Sequence, residues 1–144
     1  MSDSDYSPLP EDIGNIADYY YATDDIILSN DTEKDYTGTT PLKMKEITIK
    51  TIIEKQSGFR ITFDMRPSDA KYVYGQIYKN GVPYGTLHSL NIISTVTYTQ
   101  DFTGPWNQND TIELWGWAAD AGVTVKMFNF RIKGAKTTFI NTLT

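Results

Sequence analysis

The stretch Val73-Tyr74-Gly75-Gln76-Ile77-Tyr78-Lys79-Asn80-Gly81-Val82-Pro83-Tyr84-Gly85 decides the fold. Aromatic and aliphatic side chains alternate up to Asn80-Gly81, and alternation resumes beyond it. Asn-Gly suits the two central positions of a type I′ turn, where both residues need positive φ. With alternating flanks it is the strongest short-range hairpin signal a sequence offers. Val73, Gly75 and Ile77 fall on one face, Tyr72, Tyr74 and Tyr78 on the other, and residues 82–86 form the return strand. The hairpin holds no side chains arranged for reaction. It speaks to architecture.

Working outward, residues 59–66 alternate strictly, with Phe59, Ile61, Phe63 and Met65 inward and Arg60, Thr62, Asp64 and Arg66 outward, the period of a half-buried strand. Residues 111–118 split the same way. Ile112, Leu114, Gly116 and Ala118 oppose Thr111, Glu113, Trp115 and Trp117. A first strand is expected near 26–29, then a polar loop at 30–40. Residues 42–50 change parity midway, which places a bulge near Lys45-Glu46. Residues 96–102 alternate, and 123–133 form a last strand with Phe128, Phe130 and Ile132 on one side, before a polar tail. About eight short strands with turn signals and no convincing long helix predict an all-β, antiparallel jelly-roll sandwich over 23–144.

Residues 1–22 read as an arm. Pro8 and Pro10 stiffen its start, residues 11–21 have the spacing of a short helix weakened by Gly14, and Ile13, Ile16, Tyr19, Tyr20 and Tyr21 are its apolar anchors. The formal charge of −5 hides an asymmetry: residues 1–35 carry ten acids against Lys34 alone, a net −9, while 36–144 carry twelve bases and eight acids, a net +4. Such a segment is either a solvated tail or an arm guided onto a basic surface of a neighbouring subunit. The acidic total and the lack of a basic cluster argue against nucleic-acid binding. No run is long and apolar enough for a membrane span. The acidic, polar start does not read as a signal peptide. A role outside the cell would then need another exit, such as assembly into a particle released by lysis.

The 144 residues contain no cysteine and a single histidine, His88, which removes thiolate chemistry and argues against a zinc site, since three or four Cys, His or carboxylate ligands would be needed. Ser89 follows His88 directly, so on a strand the two point to opposite faces and make a poor nucleophile–base pair. Asp64, Asp101, Asp110, Glu113 and Asp120 offer carboxylates for glycoside hydrolysis, yet nothing singles out a pair. Residues 30–35 supply oxygen donors for Ca²⁺ but lack the glycine and terminal glutamate of an EF-hand loop, and Lys34 would compete. No catalytic residue, metal or cofactor is assigned. Trp106, Trp115 and Trp117 have two readings: core or subunit-interface packing, and stacking on sugar rings.

The succession Phe59-Arg60-Ile61-Thr62-Phe63-Asp64, Val73 to Gly81, Asp110-Thr111-Ile112-Glu113-Leu114-Trp115 and Val125-Lys126-Met127-Phe128-Asn129-Phe130-Arg131-Ile132 resembles a β-sandwich module of virion-surface proteins. Such modules occur in tailed phages and archaeal viruses as fibre, receptor-binding or head-decoration components. The pattern is also similar to the trimerising jelly rolls of C1q and tumour-necrosis-factor-like domains. The resemblance spans residues 23–133 and carries no site residues across. It implies a non-enzymatic protein on the virion surface, a homo-oligomer with a trimer favoured, attached through its arm to a capsid or tail protein. A carbohydrate-binding module that holds host-surface or other glycans on its exposed aromatics is the alternative.

Overall fold

The computed structural model describes residues 24–50, 58–103 and 106–134, and every regular element among them is a strand. In chain order these are β1 (Ile26–Asn30), β2 (Lys34–Thr37), β3 (Leu42–Thr48), β4 (Gly58–Pro67), β5 (Val73–Lys79), β6 (Val82–Pro83), β7 (His88–Leu90), β8 (Val96–Thr103), β9 (Thr111–Ala118) and β10 (Thr124–Gly134). One sheet has the order β1-β10-β4-β8, with β2 also on β10. The other has the order β3-β9-β5-β6, with β7 also on β5. Every pairing is antiparallel. The two sheets face each other as the expected sandwich. The arm of residues 1–22 and its anchors Ile13, Ile16, Tyr19, Tyr20 and Tyr21 lie outside the described residues, as does the tail beyond Gly134.

The hairpin turn forms as the sequence requires, with φ of 52° at Asn80 and 80° at Gly81. Its return strand is shorter than expected. Only Val82 and Pro83 pair with β5, opposite Lys79 and Tyr78. Pro83 has no N–H to extend a ladder. The next two amides, of Tyr84 and Gly85, both donate to the Ile77 carbonyl at 2.9 Å, which turns the chain off the strand. It rejoins β5 as β7, with Leu90 opposite Val73 and His88 opposite Gly75.

Strict alternation built the centre of the sandwich. Phe59, Ile61, Phe63 and Met65 of β4, Ile112 and Leu114 of β9, and Val73 and Ile77 of β5 are all buried. Gly75 and Gly116 face each other across β5 and β9. A Cβ on Gly75 would come within 2.8 Å of Met127 Cε, and one on Gly116 within 2.6 Å of Met44 Sδ. The two missing side chains make room for thioethers, which fill irregular space well.

Two bulges depart from the expected pattern. In β3 the register shifts between Lys43 and Lys45, one or two residues before the expected place. The shift turns Met44, Ile47 and Ile49 to the same interior and buries Lys45, whose ammonium donates to Asn30 Oδ1 at 2.9 Å. In β10 a second bulge lies between Phe128 and Arg131, with Asn129 at a φ of 53°. It exchanges parity, so Val125, Met127, Phe130 and Ile132 are buried while Phe128 stays out of the core. The expected grouping of Phe128 with Phe130 and Ile132 is therefore wrong. The expected polar loop at 30–40 also holds a strand, β2, which pairs with β10 from Lys34 opposite Met127 to Thr37 opposite Thr124.

The acids of this segment find bases in their own chain. Arg60 binds Asp24 and Asp101, Arg131 binds Asp31 through two bonds of 2.9 and 3.1 Å, and Lys126 binds Asp35 at 3.0 Å. Two of these pairs engage Asp31 and Asp35, carboxylates that a cation at 30–35 would have needed.

Nothing lies within 4 Å of a Cβ built on Gly81, so its constraint is purely its positive φ. Gly81→Ala is expected to lower stability by about 1–2 kcal/mol, read as a shifted midpoint at unchanged m-value in urea unfolding. An unchanged midpoint would remove the turn from its organising place.

Candidate functional site

The pairing of β9 with β5 sets Tyr74 opposite Trp117, Gln76 opposite Trp115 and Tyr78 opposite Glu113. All six side chains leave the sheet on the side away from the core, since their neighbours in sequence point inward. Tyr78 and Trp115 stack with centroids 4.4 Å apart and planes 10° from parallel. Tyr74 meets Trp117 at 5.6 Å with a 35° tilt, and Tyr72 continues the row at 6.4 Å from Tyr74. Tyr78 stands six positions after Tyr72, so the aromatic strip runs roughly 20 Å along the strands. Tyr72 is 47% exposed.

The strip has polar margins. On the β3 side Lys43 lies opposite Trp115 and Glu46 opposite Glu113. Two glutamates directly across a ladder repel. Here each is separately satisfied. Glu46 takes the Lys43 ammonium at 2.6 Å, which holds its carboxyl below the usual range. Glu113, 4% exposed, accepts from Trp115 Nε1 at 2.8 Å, from Thr111 Oγ1 at 2.6 Å and from the Gly81 amide at 3.2 Å. On the far margin Gln76 Nε2 donates to the Gly85 carbonyl at 2.9 Å.

Of the three tryptophans singled out from sequence, the structure brings Trp115 and Trp117 together on this face and removes Trp106 from it. Trp106 is fully buried, stacked on Phe59 at 4.3 Å and 14°, with its Nε1 donating to Tyr84 Oη at 3.2 Å. It serves the core and is no exposed glycan contact. Glu113 and Gln76 were not chosen as site residues from sequence. The shared parity of Glu113 with Trp115 was the available signal.

Catalytic chemistry gains nothing from the geometry. His88 points between the sheets, 4.7 Å from Tyr98 and 5.7 Å from Phe63 by ring centroids, and burial pulls its pKa down. Its Nε2 is buried without a hydrogen-bond partner. Among the described residues no group of three or more His, Cys, Asp or Glu is placed to hold a metal ion, and no helix is long and apolar enough to cross a membrane.

No known family model matches the sequence, and no curated protein matches it. Among solved structures, the chain is similar to the CBM36-1 domain of a multidomain xylanase from the hindgut metagenome of Trinervitermes trinervoides, with a TM-score of 0.52 and 18% identity over 75% of this chain and 100% of that one. It is also similar to the C-terminal domain of EclA, a sugar-binding protein, with a TM-score of 0.52 and 12% identity over 81% of this chain and 84% of that one. The likeness is one of fold. The first of these neighbours is a CBM36-1 domain of a xylanase and the second a sugar-binding protein.

Two outcomes check these placements. Trp106→Ala is expected to cost about 3–5 kcal/mol in denaturant unfolding, the range for emptying a large buried aromatic site; a loss under about 1 kcal/mol would put Trp106 outside the core. The second concerns pH. His88 has a folded pKa below its unfolded value, so the unfolded chain binds the extra proton first and stability falls as pH drops through about 6.5. The melting temperature should decline from pH 7 to 5, and His88→Phe should flatten that decline. An equal slope in the variant would assign it to other groups.

Proposed function

We propose that this chain is a non-catalytic carbohydrate-binding module whose ligand lies along the outer face of β5 and β9. The row of Tyr72, Tyr74, Trp117, Tyr78 and Trp115 carries this reading. Large aromatic rings gathered on the solvent side of a sheet, when the sandwich core is already filled, form the kind of patch that marks a binding surface. Rigid Tyr and Trp rings offer apolar area with a polar tip at low entropic cost. A pyranose ring has the matching chemistry, with C–H groups on its faces and hydroxyls at its rim. Support for sugar over another ligand also comes from the fold shared with the xylanase CBM36-1 domain and the EclA sugar-binding domain.

The rings are not equivalent. Tyr78 and Trp115 each spend one face on the other at 4.4 Å. Trp117, held only by a tilted contact, and the exposed Tyr72 have more ring surface to give. Trp117 is the principal stacking residue, and the Tyr78–Trp115 stack is the wall beside it. The virion-surface reading draws no support from the fold likenesses, and the arm of residues 1–22 on which it rests lies outside the described residues.

A glycan array followed by calorimetry on the best neutral oligosaccharide tests the proposal. Trp117→Ala is expected to weaken binding about tenfold or more, with the melting temperature little changed, whereas Trp115→Ala lowers both. No array signal above background, or full affinity in Trp117→Ala, would sink it.

A further inference from the structure

Glu113 is a carboxylate taken almost wholly out of water on an otherwise aromatic face, and no described cation forms an ion pair with it. Lys43, the ammonium across the ladder, is bound to Glu46 instead. Burying a charge in this way is costly unless hydrogen bonds hold it. Three donors do so, and they come from three separate parts of the site. Trp115 Nε1 belongs to the aromatic strip, Thr111 Oγ1 to the start of β9, and the Gly81 amide to the hairpin turn. Thr111 is tied to the same turn a second time, its amide donating to Asn80 Oδ1 at 2.9 Å.

We infer that Glu113 is a positioning residue for the ligand face, holding the Trp115 indole edge against the Asn80–Gly81 turn so that the Tyr78–Trp115 stack stands in one orientation. The inference rests on the carbohydrate-binding reading for its purpose, and on geometry for its mechanism. An indole on a strand surface has rotamer freedom about two χ angles. A charge-assisted bond from its only N–H to Glu113 Oε1, on a carboxylate whose Oε2 is held by Thr111 and the Gly81 amide, removes most of that freedom. The ordering is then complete before any ligand arrives, which lowers the entropic cost of binding. A second aromatic contact in place of Glu113 would add area and leave the indole free to turn.

The experiment uses the full chain labelled with ¹⁵N. Its three tryptophans give three indole N–H signals, assigned through Trp115→Phe and Trp117→Phe. Glu113→Ala is expected to speed solvent exchange of the Trp115 signal about tenfold or more, as follows from losing a hydrogen bond to a charged acceptor. It should weaken binding of the best array glycan by about tenfold. Glu113→Gln keeps a carbonyl oxygen for the indole and should stay within about threefold of wild type on both readouts. Thr111→Val removes a donor to Glu113 without touching Trp115. It should lower the melting temperature and weaken binding less than Glu113→Ala does, since the indole bond remains.

Trp115→Phe keeps a ring against Tyr78 but has no N–H, and it reads the same bond from the other side. Binding should fall as in Glu113→Ala, and the double variant should be no worse. This arm also decides the matter if Glu113→Ala does not fold. Unchanged indole exchange in Glu113→Ala, full affinity in Trp115→Phe, or a binding loss in Thr111→Val equal to that of Glu113→Ala overturns the assignment. A wild type that binds no glycan overturns the ligand face itself, and the indole exchange, which needs no ligand, tells that failure apart from a failure of Glu113 to hold Trp115.

Discussion

The antiparallel pairing of β5 with β9 governs the rest of the molecule. Side chains on a strand alternate with a period of two, so one choice of register assigns every residue of both strands to a face. With Gly75 opposite Gly116, the aliphatic residues and the glycines turn to the core, and Tyr74, Tyr78, Trp115 and Trp117 turn to solvent. A slip by one residue would bury Glu113 in a hydrocarbon interior and expose Ile77 and Leu114. The turn at Asn80–Gly81 pins that register at one end, and the bonds from Asn80 to Thr111 and from Gly81 to Glu113 fasten turn to sheet. Fold and candidate site are consequences of the same pairing.

The two sheets treat their outer faces differently. On the β1-β10-β4-β8 sheet several charged side chains are matched: Arg60 with two aspartates, Arg131 with Asp31, Lys126 with Asp35. Exposed pairs of this kind contribute little stability each. What they accomplish is pairing of Asp24, Asp31 and Asp35, acids of the segment that precedes β3, whose residues 1–23 lie outside the described ones. On the opposite sheet the outward rings stack on one another, and Trp115 is also held by Glu113. A surface crossed by ion pairs and a surface of stacked aromatic rings make unequal candidates for binding.

How much of this could be read from the chain follows from where alternation is unbroken. Residues 59–66, 73–79 and 111–118 keep strict parity, and the structure places them as the parity requires. The bulges in β3 and β10 were harder, because an inserted residue leaves no mark beyond a change of parity. Asn129, a residue that tolerates positive φ, was the one local hint in β10. Strand β2 has a single apolar residue, Tyr36, and exists because β10 extends past β1 and needs a partner there. For the site, the outward placement of Trp115 and Trp117 was legible from their shared parity with Glu113. Trp106 was not, since it stands outside any alternating run and only packing on Phe59 decides its place.

The glycine pair at the centre of the sandwich has one more consequence. Met44, Met65 and Met127 are buried where Gly75 and Gly116 leave space, and a thioether there meets an oxidant only when the sheets part. Each sulfoxide would place a polar oxygen in the tightest contact of the core and hinder the sheets from closing again. The rate at which these thioethers oxidise would therefore be a chemical clock of how often the sandwich breathes.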